Sequence, residues 1–175
     1  MIEEIKFRKA EYKDIEELIA IRDRCGDGLK EMGVDQWQNK EPHVGLIKSD
    51  IEQGRGYLFE SEDRIVAYFT LILGDEKEYR EFISGDIAGK TAAIHRVMVD
   101  TEFRGRAFSQ RVFTEAGRMA ADAGKKFLFV DTHAKNKPML KSIERYGFSY
   151  LGVIEIDTNE GHDKKRSAFS KEILM

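Results

Sequence analysis

The feature that most constrains this chain is the stretch from Ala92 to Phe148. A strand-like run at Ala92 to Val99 passes through Asp100-Thr101-Glu102-Phe103-Arg104-Gly105-Arg106 into an amphipathic helix, and a second strand-like run follows at Phe127 to Thr132. Two apolar strands joined by a helical crossover are forced parallel, because no short hairpin returns the chain in the same direction. A ligand of such a β-α-β unit sits at the carboxyl ends of the strands, beside the helix N-terminus. That terminus presents unpaired N–H groups and the positive end of the helix dipole. Here Arg104, Arg106 and Arg111 gather around it, so the spacing predicts a bound anion.

The crossover helix is predicted over Ala107 to Ala123, with an apolar stripe at Phe108, Val112, Phe113, Ala116, Met119, Ala120 and Ala123 and a stop at Gly124. A further helix begins at Asn136, tolerates Pro138 in its first turn and ends at Tyr146-Gly147-Phe148. Upstream, Ile5 to Arg8 reads as a short strand and Ala10 to about Cys25 as a helix whose apolar positions make Cys25 a core residue. Gly26 to Gly45 is richer in glycine and reads as a loop or broken helix, with Trp37 either its packing anchor or part of a binding wall. Ile47 to Gln53 is a short helix. Tyr57 to Glu60 and Ile65 to Leu73 form a hairpin across Ser61-Glu62-Asp63-Arg64. Asp75 to Lys90 is charged and expected to be an exposed loop. Ser149 to Ile156 and Arg166 to Ile173 read as an antiparallel pair across a loop at Asp157 to Lys165.

Composition narrows the function classes. A chain of 175 residues, 41% hydrophobic with two prolines, suits one globular domain spanning 1–175. No apolar run approaches a membrane span, and the N-terminus lacks the basic-then-apolar order of a signal peptide, so a cytoplasmic protein is expected. The single Cys25 has no internal disulfide partner and no metal-ligand spacing. A net charge of −3 with both signs mixed gives no nucleic-acid footprint. No Gly-x-x-x-x-Gly-Lys-Ser/Thr occurs, which disfavours a nucleotide-phosphate protein.

From Val97 the chain runs V-M-V-D-T-E-F-R-G-R-A-F-S-Q-R-V-F. This resembles the acyl-coenzyme A signature of the Gcn5-related N-acetyltransferase (GNAT) superfamily, in which a strand ends in a short acidic or prolyl turn followed by Arg/Gln-x-x-Gly-x-Gly/Ala and a helix. Arg104 falls on the first position, Ala107 on the first glycine and Ser109 on the last small residue. The family's second motif is matched by Asn136, Gly147 and Phe148, with Met139 in its alanine position. A subgroup of the family is similar at Gln36-Trp37 and at Asp131-Thr132-His133. The resemblance implies an α/β GNAT-like single domain with a central mixed sheet of six or seven strands flanked by helices. Its two β-α-β strands are expected to splay apart and form the acyl-CoA site. It further implies acetyl-CoA as cosubstrate and an amine acceptor as the other partner. Backbone at Val97, Met98 and Val99 would meet the pantetheine, Arg104, Gly105, Arg106, Ala107, Phe108 and Ser109 the pyrophosphate, and Asn136 the coenzyme's arm. Gln36 and Trp37 would line the acceptor side. No metal, nucleic acid or membrane is implied, and a homodimer is left open. Ala107 and Ser109 keep the backbone donors this contact needs if the segment is already helical.

Acyl transfer to an amine requires a proton to leave the nitrogen, by a side chain or through water. His95, on the strand that flanks the thioester in this family, is the first base candidate. Strict alternation puts it on one face with Val97 and Val99, which fits a packed structural histidine equally well. His133 is the second candidate, while His43 and His162 fall in loops. The tyrosine usual as acid in the family falls on Ile143, which has no proton to give. Tyr146 reads as core packing, and Tyr68 and Tyr12 are the other phenols that could project into the site. Two readings follow: an N-acetyltransferase acting by direct attack in a ternary complex, or a non-catalytic acyl-CoA-binding domain of the same fold.

Overall fold

The computed structural model describes residues 4–157 and 163–174, so His162 lies outside the described residues. Its strands are β1 (Ile5–Lys9), β2 (Gly56–Ser61), β3 (Arg64–Ile72), β4 (Thr91–Val99), β5 (Phe127–Thr132), β6 (Ser149–Glu155) and β7 (Lys165–Glu172). Its helices are α1 (Ile15–Glu31), α2 (Val44–Glu52), α3 (Phe108–Asp122) and α4 (Lys137–Tyr146). The strands form one mixed sheet in the order β1-β2-β3-β4-β5-β7-β6. β4 and β5 are parallel neighbours, as the crossover requires, with Thr91 opposite Phe127 through Ile94 opposite Val130. Their pairing stops there while β4 runs on to Val99. No described helix is long and apolar enough to cross a membrane. The chain falls into two compact units, Met1–Thr70 with Arg96–Val112 and Leu71–His95 with Phe113–Met175.

In the first unit, Glu62 and Asp63 both take positive φ, 48° and 62°, the two-residue turn whose twist matches a hairpin. Leu18, Ile21 and Cys25 of α1 pack with Ile47 of α2 and with Leu58, Ile65, Tyr68 and Met98 from the sheet. α1 continues past Cys25 to Glu31, through Gly26 and Gly28 and into the stretch expected to be a loop or broken helix. Both glycines are sites of close approach. A Cβ on Gly26 would stand 2.7 Å from the Trp37 carbonyl oxygen, and one on Gly28 2.8 Å from Nη2 of Arg104. α2 also starts earlier than predicted, at Val44, because the exposed His43 caps it by accepting the Gly45 N–H at 3.1 Å.

In the second unit, Phe129 of β5 packs on one face with Tyr79, Ala93, Ile154 and Ala168. Elsewhere in this unit, Phe113 of α3 meets the rings of Tyr146 and Phe148. α4 opens on an Asn136 cap and closes on Gly147 at φ 94°. The segment expected to be an exposed loop is instead folded into two 3-10 turns, Lys77–Phe82 and Gly85–Ile87. Its anchor is Tyr79, 1% exposed, with Phe82 and Ile83 packed on the same cluster. Apolar side chains three and four positions apart reach one face of a helical turn, and this overrides the charge around them.

Candidate active site

The turn between β4 and α3 is built from Asp100 outward. Its carboxylate is 1% exposed and takes Nε and Nη2 of Arg24 at 3.1 and 2.8 Å, while its N–H donates to the Val66 carbonyl at 3.0 Å. Burial works against the charge of Asp100. Bonding and charge from Arg24, with the Glu102 N–H, outweigh that and hold the carboxyl below the usual carboxylate range. After a 3-10 turn at Thr101–Phe103, the chain takes left-handed conformations at Gly105 (φ 78°) and Ala107 (φ 59°) before α3 begins at Phe108. Ala107 is therefore not helical, contrary to the expectation above. It occupies a conformation that favours glycine, which accounts for a glycine in that place of the family pattern. Arg104, Gly105, Arg106 and Ala107 are exposed, and nothing lies within 4 Å of where a Gly105 Cβ would stand. Arg106 lies 5.1 Å over the Phe103 ring and Arg111 5.6 Å over that of Phe108, so the charges around the turn rest on aromatic faces. The Arg104 guanidinium reaches back to Gly28 and the Cys25 thiol. Cys25 is core, as expected, and its Sγ lies 3.3 Å from the Val99 carbonyl oxygen. Burial pushes its thiol up.

β4 is not a regular strand. Arg96 sits at φ 51°, which breaks the alternation on which the facing of His95 with Val97 and Val99 was predicted. Beyond it Met98 is the buried residue, 1% exposed, while Val97 and Val99 are half-buried. The Arg96 guanidinium is held by Asp50 at 2.6 and 3.0 Å. Asp50 is fully buried and also takes Nε of Arg55 and the Thr70 hydroxyl, both at 2.8 Å. Since Thr70 spends its one proton on Asp50, Tyr68 donates to Thr70 across their 3.2 Å contact. Burial pushes the Tyr68 phenol up to about 12. It is thus fixed in the core, and Tyr12, exposed, bonds Glu52.

Gln36 and Trp37 lie on the loop between α1 and α2, both half-buried, and Trp37 packs against the cluster that contains Met98. The loop is tied to α1. Gln38 donates to the carbonyls of Gly26 and Gln36 at 2.9 and 3.0 Å, and the buried Arg22 donates to those of Lys40 and Pro42 at 3.1 and 3.2 Å.

In the second unit, Nε2 of His95 is buried and makes no hydrogen bond, though it stands at ion-pair distance, 3.2 Å, from Oε2 of Glu76. The imidazole stacks on the Tyr79 ring, 6.3 Å between centroids and 23° between planes. Tyr79 donates to Asp131 at 2.5 Å. Burial, then the Asp131 charge, raises that phenol well above its ordinary value and keeps it protonated. His133 is engaged at both nitrogens: Nδ1 accepts the Lys135 N–H at 3.0 Å, so Nε2 is the donor in its 3.1 Å contact with Asp163. Asn136 caps α4 and donates to Thr132 at 3.2 Å. Ile143 is fully buried. Tyr146 packs between Phe113 and Phe148 with Lys171 over its ring.

The structure thus gathers the turn, the end of β4 and the Trp37 loop in one unit, and His95 with Glu76, Tyr79 and Asp131 in the other. Glu76 and Tyr79 escaped the sequence reading because charge hid them, and only the spacing of Tyr79, Phe82 and Ile83 pointed to a packed turn. Asp50 and Arg96 lie 46 positions apart, and no local pattern pairs them.

Residues 16–148 match the acetyltransferase (GNAT) family. The chain is 23% identical over 146 residues to the uncharacterized N-acetyltransferase YesJ of Bacillus subtilis (strain 168), covering 82% of this chain and 81% of that one. Its fold resembles a GNAT-family acetyltransferase from Streptococcus agalactiae 2603, with a TM-score of 0.81 at 22% identity over 98% of this chain and 96% of that one. YncA of Salmonella typhimurium, solved with its cofactor acetyl-CoA, is similar with a TM-score of 0.66 at 12% identity, over 97% and 94% of the two chains.

Proposed function

Because the chain belongs to the GNAT family of acetyltransferases, we propose that it transfers the acetyl group of acetyl-CoA to a primary amine by direct attack in a ternary complex. The observation that carries this reading is the exposed Arg104–Ala107 turn ahead of α3, with Gly105 open and Arg106 and Arg111 beside it. A pyrophosphate suits that place, because a helix N-terminus offers N–H donors and favours negative charge. Backbone at Met98 and Val99 takes the pantetheine arm, and Gln36 and Trp37 meet the amine. The same fold in YncA, solved with acetyl-CoA, supports the choice of donor.

His95 serves as base in this reading. Of the two protons an ammonium sheds on becoming an amide, one leaves to solvent. The other is taken by His95 and passes on to solvent or to the thiolate. The C–N bond forms, the C–S bond breaks, and its electron pair leaves on sulfur. With a free thiol pKa of about 8.5, the thiolate departs without a dedicated acid, which suits the buried Ile143. His133 offers no lone pair without first giving up its bond from Lys135.

The test is acetyl-CoA consumption against a panel of amines, together with calorimetric titration of coenzyme A. Turnover with an amine, lost in His95→Ala with coenzyme affinity kept, is the expected result. Gly105→Asp puts a carboxylate beside the turn with little backbone strain, since Asp tolerates positive φ, and is expected to weaken coenzyme A binding at least about tenfold. Unchanged affinity would move the pyrophosphate elsewhere.

A further inference from the structure

His95 presents two nitrogens in different surroundings. Nε2 is buried and faces the Glu76 carboxylate at 3.2 Å, and the side chains of the two residues are 17% and 24% exposed. One face of the ring is laid against Tyr79, which is itself pinned through its hydroxyl to Asp131 on β5. The imidazole is thus held in plane by an aromatic ring that cannot rotate freely, and its buried edge lies beside a carboxylate.

A carboxylate only accepts hydrogen bonds. It therefore favours the tautomer that turns an N–H toward it, with the proton on Nε2 and the lone pair on Nδ1. Resting on His95 as the base, we infer that Glu76 is a positioning residue: it fixes the Nε2–H tautomer so that Nδ1 receives the proton from the acceptor nitrogen. When Nδ1 takes that proton the ring becomes an imidazolium, and Glu76 balances its charge until the proton passes to solvent or to the departing thiolate. At 3.2 Å the contact is electrostatic rather than a directed hydrogen bond, and the negative charge by itself favours the tautomer that carries its proton on the nearer nitrogen. Tyr79 stays neutral throughout, because burial and Asp131 keep its phenol protonated. The charged groups about the ring are thus Glu76 itself and, through Tyr79, Asp131 and Glu78.

Two measurements on the full chain test this. Nitrogen-15 spectra of histidine-labelled protein, assigned with His95→Gln, read the tautomer without any substrate. The wild type is expected to show Nε2 protonated and Nδ1 bare. Glu76→Gln, whose amide serves either tautomer, is expected to lose that preference while its melting transition stays cooperative. With the best amine from the panel, Glu76→Gln is expected to lower kcat at least about tenfold, a part of the roughly 10²–10⁴-fold that general-base catalysis contributes, with KM for acetyl-CoA within about twofold. A wild-type Nδ1–H tautomer, or a kcat unchanged in Glu76→Gln while His95→Ala is dead, overturns the role of Glu76 and leaves His95 as base. A fully active His95→Ala removes the base assignment itself, whatever the spectra show.

Discussion

At the scale of single residues, the most telling position is Ala107. Its φ of 59° places a Cβ where L-residues are strained, at a cost of about 1 kcal/mol relative to glycine. Ala107→Gly is therefore expected to raise stability by roughly 0.5 kcal/mol or more even though glycine also loosens the unfolded chain, and to leave coenzyme A binding at least as tight. Urea unfolding with parallel calorimetry checks both, and a destabilised variant would mean that the alanine methyl packs usefully. Asp100 yields a second expectation. Its folded-state pKa is held below the ordinary value, net of a burial that pushes the other way. Its contribution is thus complete above the unfolded value of about 3.9 and is lost as pH falls through the lower folded value. The stability gap between wild type and Asp100→Asn should be full at neutral pH and close only below about pH 4. A gap that does not narrow at all as the pH falls below about 4 would assign the effect to packing instead.

At the scale of elements, α1 and β4 depart from ideal geometry for reasons that lie outside them. α1 carries Gly26 and Gly28 because the Trp37 loop and Arg104 press against its surface. Alanine is the better helix former, yet Gly26→Ala is expected to destabilise by about 1–3 kcal/mol, since its methyl meets a backbone oxygen that cannot swing away. A neutral or stabilising result in chemical denaturation would show that the loop shifts cheaply. β4 bends at Arg96, and the bend is anchored by a buried carboxylate shared between two arginines and a threonine. Asp50→Asn removes the charge and keeps the shape. It is expected to cost about 3–5 kcal/mol, the penalty of leaving buried partners uncompensated, and to weaken coenzyme A binding through the displaced Met98 and Val99 backbone. Tight binding in a folded Asp50→Asn protein would separate this anchor from the coenzyme.

At the scale of the whole molecule, the order of elements was legible along the chain because each was written in short-range terms. The run at Phe127 to Thr132 is β5 without a residue's difference, and the cap at Asn136, the proline in the first turn and the left-handed Gly147 delimit α4. Parallel pairing of β4 with β5 followed from the crossover between them. Apolar period, turn chemistry and helix caps act over a few residues, so sequence alone determines them. What the sequence did not contain was the phase of β4 beyond His95. Strict alternation holds only while every residue keeps extended backbone, and Arg96 abandons it for an anchor that a distant helix supplies. Nor did it contain the company of His95, because Glu76 and Tyr79 stand in a charged segment that becomes a packed turn only when Phe129, Ile154 and Ala168 provide a surface for it. Which nitrogen of that histidine faces a carboxylate, and how Asp50 gathers its partners, depend on contacts between residues far apart in the chain. Only the folded structure brings them within the few ångströms over which hydrogen bonds and charges act.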